Sequence, residues 1–287
     1  MSKISDKQYI FINGEYFLPE NAVISVRDRG FRFGDGIYET IGICSGVLYR
    51  WDVHFARLQA SLELVRISTD LSSLEDSCKE LIKRNKIKNG VLRIQITRGE
   101  GSRGYLPENK ARASLVVETV NALKPITDPV DLWVSSYAKI PDTCLPSAAK
   151  TTQGLSSTLA KMEAEENNCF ESLLLGVDSN ICEGASSSIF WSRGDTLYTP
   201  SLECGILQGT IRDLVIRIAP VQVVEGEFNL AQLLKADEVF LTNAVWHLVP
   251  VKTIKPGGIV LKKFALAEKI RQLILQDMEE YALARKS

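Results

Sequence analysis

The sequence predicts an α+β protein of two domains. Three observations predict it. The chain has 287 residues, about twice an ordinary domain of roughly 150. Strand-like and helix-like stretches mix without strict βαβ alternation, which argues against a doubly wound parallel sheet. The stretch "NALKPITDPVDL", residues 121–132, holds two prolines and little periodicity, and reads as a linker. The expected organisation is an N-terminal α/β domain over 1–120, the linker over 121–132, and a C-terminal domain over 133–287.

The elements follow in order. "YIFINGEYF" sets Asn13-Gly14 between aromatic-rich runs, a type I′ hairpin signal. "YETIGICSGVLYRW" repeats the pattern around Ser45-Gly46. "DVHFARLQASLELV" switches to helical spacing, with Phe55, Leu58, Leu62 and Val65 on one face and Asp52 expected as N-cap. "SSLEDSCKELIKRN" opens with Ser72 and Glu75 at capping-box spacing. "VLRIQITRG" and "ASLVVETV" alternate with period two and read as strands. Beyond the linker, "DLWVSSYAKI" predicts a strand, "LSSTLAKMEAEEN" a helix, and "ESLLLGV" and "SIFWSRGDTLYT" further strands. "TIRDLVIRI" predicts a helix, "EVFLTNAV" a strand, and a long helix closes the chain from about Lys263. No internal repeat or low-complexity tract occurs.

Composition narrows the function classes. Lys and Arg number 34 against 35 Asp and Glu, for a net charge of -1, so no global basic field exists to hold nucleic acid. "MSKISDKQYIF" lacks the apolar core of a signal peptide, and no apolar run reaches membrane-spanning length. A soluble, cytoplasmic protein is expected, with no membrane or nucleic-acid partner. The six cysteines, Cys44, Cys78, Cys144, Cys169, Cys182 and Cys204, form no C-x-x-C pair, and a disulfide framework is not expected. Only His54 and His247 are available for a zinc site or a hydrolase triad, without ligand-like spacing. The chemistry is not expected to run on histidine, and no metal site is expected.

Several residues are candidates for chemistry. Lys150, in "PSAAKTTQG", is a surface lysine or a Schiff-base lysine with small neighbours that leave space for an aldehyde cofactor. Lys161, among acids in "LAKMEAEEN", reads as a solvated i,i+4 partner. Glu183, in "ICEGASSSIF", is a loop acid in water or the partner of a cation held close to the backbone. "LQGTIRDLV" places Gly209 before a helix start at Thr210, where unpaired amides and the helix dipole make an anion site. "FLTNAVWHLVP" ends a strand in small polar residues whose amides offer another. Arg57, in "HFARLQ", is an ordinary surface arginine or a charge for that anion.

The order of these pieces resembles a family. "RDRGFRFGDGIYET", "HFARLQAS", "AAKTTQG", "ESLLL", "ICEGASSSIF", "LYTPSLECGILQGTIRD" and "ADEVFLTNAVWHLVPV" are similar to class IV aminotransferases and run in the same order over nearly the whole chain. These are pyridoxal-phosphate enzymes of fold type IV, the fold of D-amino-acid aminotransferase. They include branched-chain and D-amino-acid aminotransferases and 4-amino-4-deoxychorismate lyases. The resemblance implies pyridoxal 5′-phosphate as cofactor, bound by the C-terminal domain, with the Schiff base on Lys150. It implies phosphate contacts from Arg57 and from the backbone at Thr210 and Ile211, with Asn243 and Ala244 opposite. It implies Glu183 as partner of the pyridine nitrogen, which keeps the ring an electron sink, with the small residues after it letting the backbone pass beside the ring. Tyr38 matches a tyrosine of the active-site wall. A homodimer is implied as well. Two positions depart from the pattern: the Glu-x-x-Ser-Asn run ends in Ser188, and Ile-Thr-Arg at the phosphate helix reads Thr-Ile-Arg.

The choice of activity rests on "TRGEGSRGYLP". It puts Arg98, Gly99, Gly101, Arg103, Gly104 and Tyr105 on a loop after a strand. By composition it is a glycine-rich turn with solvated arginines, or a flexible arm that carries an arginine to a substrate carboxylate. The run looks like aminodeoxychorismate lyases, which implies Arg103 and Tyr105, with Tyr38, as substrate-binding residues and Arg98 as a lesser, solvent-facing one. The expected activity is release of pyruvate and 4-aminobenzoate from aminodeoxychorismate. The alternative is a branched-chain or D-amino-acid aminotransferase, since Arg103 also falls where D-amino-acid aminotransferases bind a carboxylate. A second alternative is a catalytically silent binding protein.

Overall fold

The computed structural model describes residues 8–108, 112–122 and 125–285. They divide into two compact units. The first takes the described residues up to Ala122, with Ala149–Gln153 and those from Met278 onward; the second takes Pro125–Ala148 and Gly154–Asp277.

In the first unit, β1 (Ile10–Ile12) turns into β2 (Glu15–Phe17). Asn13 and Gly14 have φ of 51° and 104°, the left-handed pair a type I′ turn requires. A short helix that the sequence reading lacked, α1 (Arg29–Phe33), is capped by Asp28, whose side chain accepts from Gly30 N, and ends at Gly34. The second hairpin joins β3 (Gly36–Cys44) to β4 (Val47–Leu48) at Ser45-Gly46. The helices α2 (Trp51–Leu64) and α3 (Leu74–Arg84) come next, then β5 (Gly90–Thr97) and β6 (Ser114–Asn121). The six strands form one antiparallel sheet in the order β2-β1-β6-β5-β3-β4. Alternation puts Ile37, Ile41 and Ile43 of β3 with Leu92, Ile94 and Ile96 of β5 in one core with Leu58 and Leu62 of α2 and Leu74, Cys78 and Leu81 of α3. Each fully buried Leu or Ile there contributes about 1.5–3 kcal/mol over exposure.

Both expected helix caps are displaced by one or two residues. Arg50, in the left-handed region at φ 55°, stands before α2, and no side chain caps it. Asp52 lies inside the first turn and accepts from Tyr281 Oη at 3.1 Å. The Ser72 amide donates to Asp70 Oδ1 at 2.9 Å, so α3 begins one residue later than a Ser72 cap requires, behind Ser73 and without a side-chain cap. Glu75 pairs instead with Lys79 at 2.8 Å.

Residues 149–153, assigned to the second domain by the sequence reading, belong to the first unit. Tyr38 N donates to Lys150 O and Thr152 N to Gly36 O, each at 2.9 Å. The outer ends of the 121–132 stretch are strand: β6 closes at Asn121 and β7 opens at Val130.

The second unit is built on β7 (Val130–Val134), α4 (Leu155–Glu166), β8 (Glu171–Leu175), β9 (Ile181–Gly184), β10 (Ser188–Arg193) and β11 (Thr196–Pro200). It continues through α5 (Thr210–Ile218), β12 (Gln222–Gly226), α6 (Leu230–Leu233), β13 (Glu238–Asn243), β14 (His247–Lys255), β15 (Ile259–Val260) and most of α7 (Ala265–Ala284). Its sheet runs β12-β11-β10-β13-β14-β7-β8-β9, with β15 on β14. The helices α4 and α5 make two parallel crossovers, β7 to β8 and β11 to β12, in an otherwise mostly antiparallel sheet. Leu132, Leu173, Ile189, Trp191, Val239 and Leu241 form its core.

Candidate active site

In the first unit Lys150 is half-buried. Its amide donates to Ser61 Oγ at 3.3 Å, and its Nζ lies 4.4 Å from the centre of the Tyr38 ring. The Arg93 guanidinium lies 4.2 Å from the same ring centre. Such contacts suit cations on an aromatic face. The surface-lysine alternative does not describe this residue.

Arg57 is not an ordinary surface arginine either. Its Nε donates to Glu39 Oε1 at 2.7 Å and its Nη2 to Glu39 Oε2 at 2.8 Å. His54 Nδ1 meets Glu39 Oε2 at 2.8 Å. Glu39 and His54 are 1% and 2% exposed. Burial by itself would raise the Glu39 carboxyl, but the charge and hydrogen bonds of Arg57, with the His54 bond, overcome it and hold Glu39 at about 2. Burial pushes His54 below its ordinary value; Glu39 opposes that, and the Arg57 and Lys150 charges reinforce it.

The loop after β5 is fastened rather than loose. Arg98 does not face solvent: Nε donates to Asp35 at 2.8 Å, Nη1 to Arg66 O at 2.6 Å and Nη2 to Val65 O at 2.8 Å. Buried Arg29 donates from Nε to the same Asp35 carboxylate at 2.7 Å, and to Gly104 O at 2.9 Å and Tyr105 O at 2.7 Å. Arg103 lines an open groove of about 610 Å³ with Arg27, Arg32, Glu100 and Glu108. Tyr105 is 85% exposed, its ring 5.5 Å from that of Phe33. Lys150 and Tyr38 do not line that groove.

In the second unit Glu183 is a strand residue of β9, 8% exposed, so the solvated loop acid is excluded. Its Oε1 pairs with Lys139 Nζ, and its Oε2 accepts from Leu207 N at 3.1 Å. The small residues after it are tied down by fully buried Glu171, which accepts from Ser186 Oγ at 2.5 Å and Ser187 Oγ at 3.2 Å. Lys161, expected to be solvated, donates to Phe170 O at 2.5 Å and lies 3.3 Å from Glu171 Oε1. Its side chain is nevertheless 39% exposed.

Thr210 and Ile211 are the first residues of α5, 4% and 2% exposed. Gly209 stands at the cap and no side chain caps the helix start. A Cβ at Gly209 would come within 2.7 Å of Ser188 Oγ, so a larger residue there would have to displace that hydroxyl. Asn243 ends β13; its Oδ1 accepts from Val245 N at 2.9 Å and Trp246 N at 3.0 Å, and its Nδ2 donates to Ser186 O at 3.2 Å. Ala244 sits in that turn. The Glu183–Ser188 run is therefore the seam where the start of α5 and the Asn243 turn approach each other.

A model of the family described as amino-transferase class IV matches residues 36–254. The chain belongs to the class IV aminotransferase family. This class IV aminotransferase is 31% identical over 256 residues to aminodeoxychorismate lyase of Bacillus subtilis, covering 86% of each chain. It is 30% identical over 278 residues to a putative branched-chain-amino-acid aminotransferase of Methanocaldococcus jannaschii, covering 92% of this chain and 96% of the relative. Its fold matches that of the T.th. branched-chain amino acid aminotransferase with pyridoxamine 5′-phosphate at a TM-score of 0.87, with 26% identity and 96% of each chain covered. The fold type IV expectation holds, and the cofactor of the family is pyridoxal 5′-phosphate. Among the described residues no group of three or more His, Cys, Asp or Glu suits a metal ion, and no helix is long and apolar enough to cross a membrane.

The sequence reading missed Glu39, Lys139, Glu171 and Arg29. Glu39 carried a signal: it falls in the phase of Ile37 and Ile41, on the face of β3 that packs into the core. A carboxylate there needs buried partners, and His54 and Arg57, three apart on α2, present them from one helix face. Lys139 carried none, because only the fold brings it to Glu183.

Proposed function

We propose that this class IV aminotransferase is a lyase that converts 4-amino-4-deoxychorismate to 4-aminobenzoate and pyruvate. The observation that carries the reading is Arg103, held on a fastened loop beside Arg27 and Arg32. The substrate has two carboxylates and one amine, and guanidinium groups suit carboxylates. The lyase relative supports the same choice.

The residues fit pyridoxal phosphate. A helix start without a side-chain cap suits its phosphate; a half-buried lysine suits its aldehyde; a buried carboxylate suits its ring nitrogen. Thr210, Ile211, Asn243 and Ala244 would supply backbone to the phosphate, with Arg57 adding charge. Glu183 would keep the ring nitrogen protonated. When bound, the cofactor supplies an electron sink for negative charge on the carbon next to the substrate nitrogen. Lys150, once its amine is released, takes the proton from that carbon. Breaking the bond from the ring carbon to the enolpyruvyl oxygen would then leave an aromatic ring, and the departing enolpyruvate would take the proton held on Lys150 at its methylene carbon and leave as pyruvate. Tyr38, under Lys150, would wall the site; Arg103 and Tyr105, whose groove Lys150 and Tyr38 do not line, would hold the substrate from the second copy of the proposed homodimer.

A branched-chain or D-amino-acid aminotransferase is the second reading, favoured by the aminotransferase relative matched over 92% of the chain. It uses the same lysine to move the proton onto the cofactor instead. The molecule is further proposed to be a cytoplasmic homodimer; its six unpaired thiols are in keeping with a reducing compartment. The test is incubation with aminodeoxychorismate and no amino acceptor. Pyruvate should appear, and Lys150→Ala should abolish it. Borohydride reduction should fix the cofactor on Lys150. Amino transfer from alanine, leucine or their D-forms to 2-oxoglutarate, without pyruvate release from aminodeoxychorismate, would establish the second reading.

A further inference from the structure

We propose that Glu39 is a positioning residue for the cofactor phosphate, acting through the guanidinium of Arg57 and fixing the tautomer of His54. The proposal rests on the reading of Arg57 as the phosphate-binding arginine. Three geometric facts carry it. Glu39 projects from β3 in the phase of the apolar core yet is a carboxylate, almost fully buried. Both of its oxygens take nitrogens of Arg57, Oε1 from Nε and Oε2 from Nη2. Oε2 also meets His54 Nδ1.

A guanidinium is planar, and a two-point carboxylate grip on one edge fixes the plane and the direction of the remaining donors. An arginine on a helix otherwise samples many rotamers, and each binding event would have to order it. The grip makes that ordering part of the fold. The His54 contact works in the same direction. An ionised carboxylate only accepts, so a neutral His54, the form that burial favours, carries its proton on Nδ1. His54 thus adds no positive charge to compete with Arg57 for Glu39. A purely structural ion pair would stabilise the unit, but it would not distinguish a phosphorylated ligand from one lacking phosphate.

That difference is the test. The holoenzyme is stripped of cofactor and titrated with pyridoxal phosphate and with pyridoxal, in the wild type and in Glu39→Gln, Glu39→Asp and Arg57→Gln. Glu39→Gln removes the charge at constant shape. Glu39→Asp keeps the charge and draws it back by one methylene. Both should weaken pyridoxal phosphate by about tenfold to a hundredfold, the range of outer partners that orient a ligand-binding group. Pyridoxal affinity should stay within about threefold of wild type on the same reasoning. Inorganic phosphate should compete less well in both variants. Equal weakening of the two ligands, an unchanged affinity ratio, or loss of pyridoxal binding in both variants would confine Glu39 to the fold and overturn the proposal. If Arg57→Gln keeps the wild-type preference for the phosphorylated ligand, the reading of Arg57 itself fails, which is a separate result.

Discussion

A carboxylate proposed to hold a proton on a ring nitrogen has to keep a fixed orientation through turnover. Glu183 is held by Lys139 Nζ at one oxygen and Leu207 N at the other. Glu183→Gln keeps the shape, gives up the charge, and leaves its amide facing an ammonium or an N–H. The variant should still bind pyridoxal phosphate, but kcat should fall by more than the tenfold that about 1.4 kcal/mol represents. Steady-state kinetics with cofactor content measured in parallel decides it, and near-normal kcat would reduce Glu183 to a structural acid. At this scale the sequence was partly legible. Lys150, Arg57 and Glu183 lie in motifs with a family order. Glu39 was legible in principle, as a charge in an apolar phase, and was passed over because His54 was judged only as a catalytic candidate. Lys139 and Glu171 were illegible, since their partners are brought to them by strand pairing rather than spacing.

Among the elements, the loop after β5 was the poorest guide to itself. Its glycines suggested freedom, yet the chain of Val65 and Arg66 carbonyls, Arg98, Asp35, Arg29 and the carbonyls of residues 104 and 105 spans it. Arg98→Ala removes one end of that chain. It should cost about 2–3 kcal/mol in urea unfolding, since hydrogen bonds to a charged group are lost and carbonyls are left bare. It should also raise the Michaelis constant through the loosened loop. A change under about 0.5 kcal/mol would restore the solvent-facing expectation. The caps at Asp52 and Ser72 misled for a related reason: local spacing named a capping residue, and the fold used those side chains and amides elsewhere. The strand β14 was absent from the sequence reading, and its first residue, His247, offers a pH test. Its φ is 65°, and burial lowers it from 6.5 to about 4. The unfolded chain therefore binds this proton first. Stability is intact above pH 6.5, declines as pH falls toward about 4, and levels below that. The loss is on the order of 3 kcal/mol. His247→Asn tolerates the same φ and does not titrate, so its urea stability should fall less than that of the wild type between pH 7 and pH 4.5. Parallel curves would show that His247 takes up its proton equally in the folded and unfolded states, and that burial does not lower it.

For the whole molecule, the described residues divide into two units, and the return of residues 149–153 to the first unit was hidden, because strand-edge bonds to β3 leave no local pattern. Assembly is the remaining question at this scale. On the first unit, Val23, Val26, Phe31 and Leu106 are 76%, 75%, 77% and 87% exposed. Phe31 belongs to α1, whose Arg29 and Arg32 hold the loop that carries Leu106, and Val26 lines a groove with Arg32. Large apolar side chains left this exposed are candidates for an interaction surface. The proposed homodimer would cover it with a second copy. Light scattering should give twice the chain mass of 31.9 kDa. Phe31→Asp puts a charge where the surface must lose water, which is costly without a partner ion. The variant should shift toward monomer at micromolar concentration, with its circular dichroism unchanged, and lose activity in step with dissociation. A wild-type protein that is monomeric and fully active, or a Phe31→Asp variant that remains dimeric, would leave that surface exposed for some other reason and remove the argument for assembly through it.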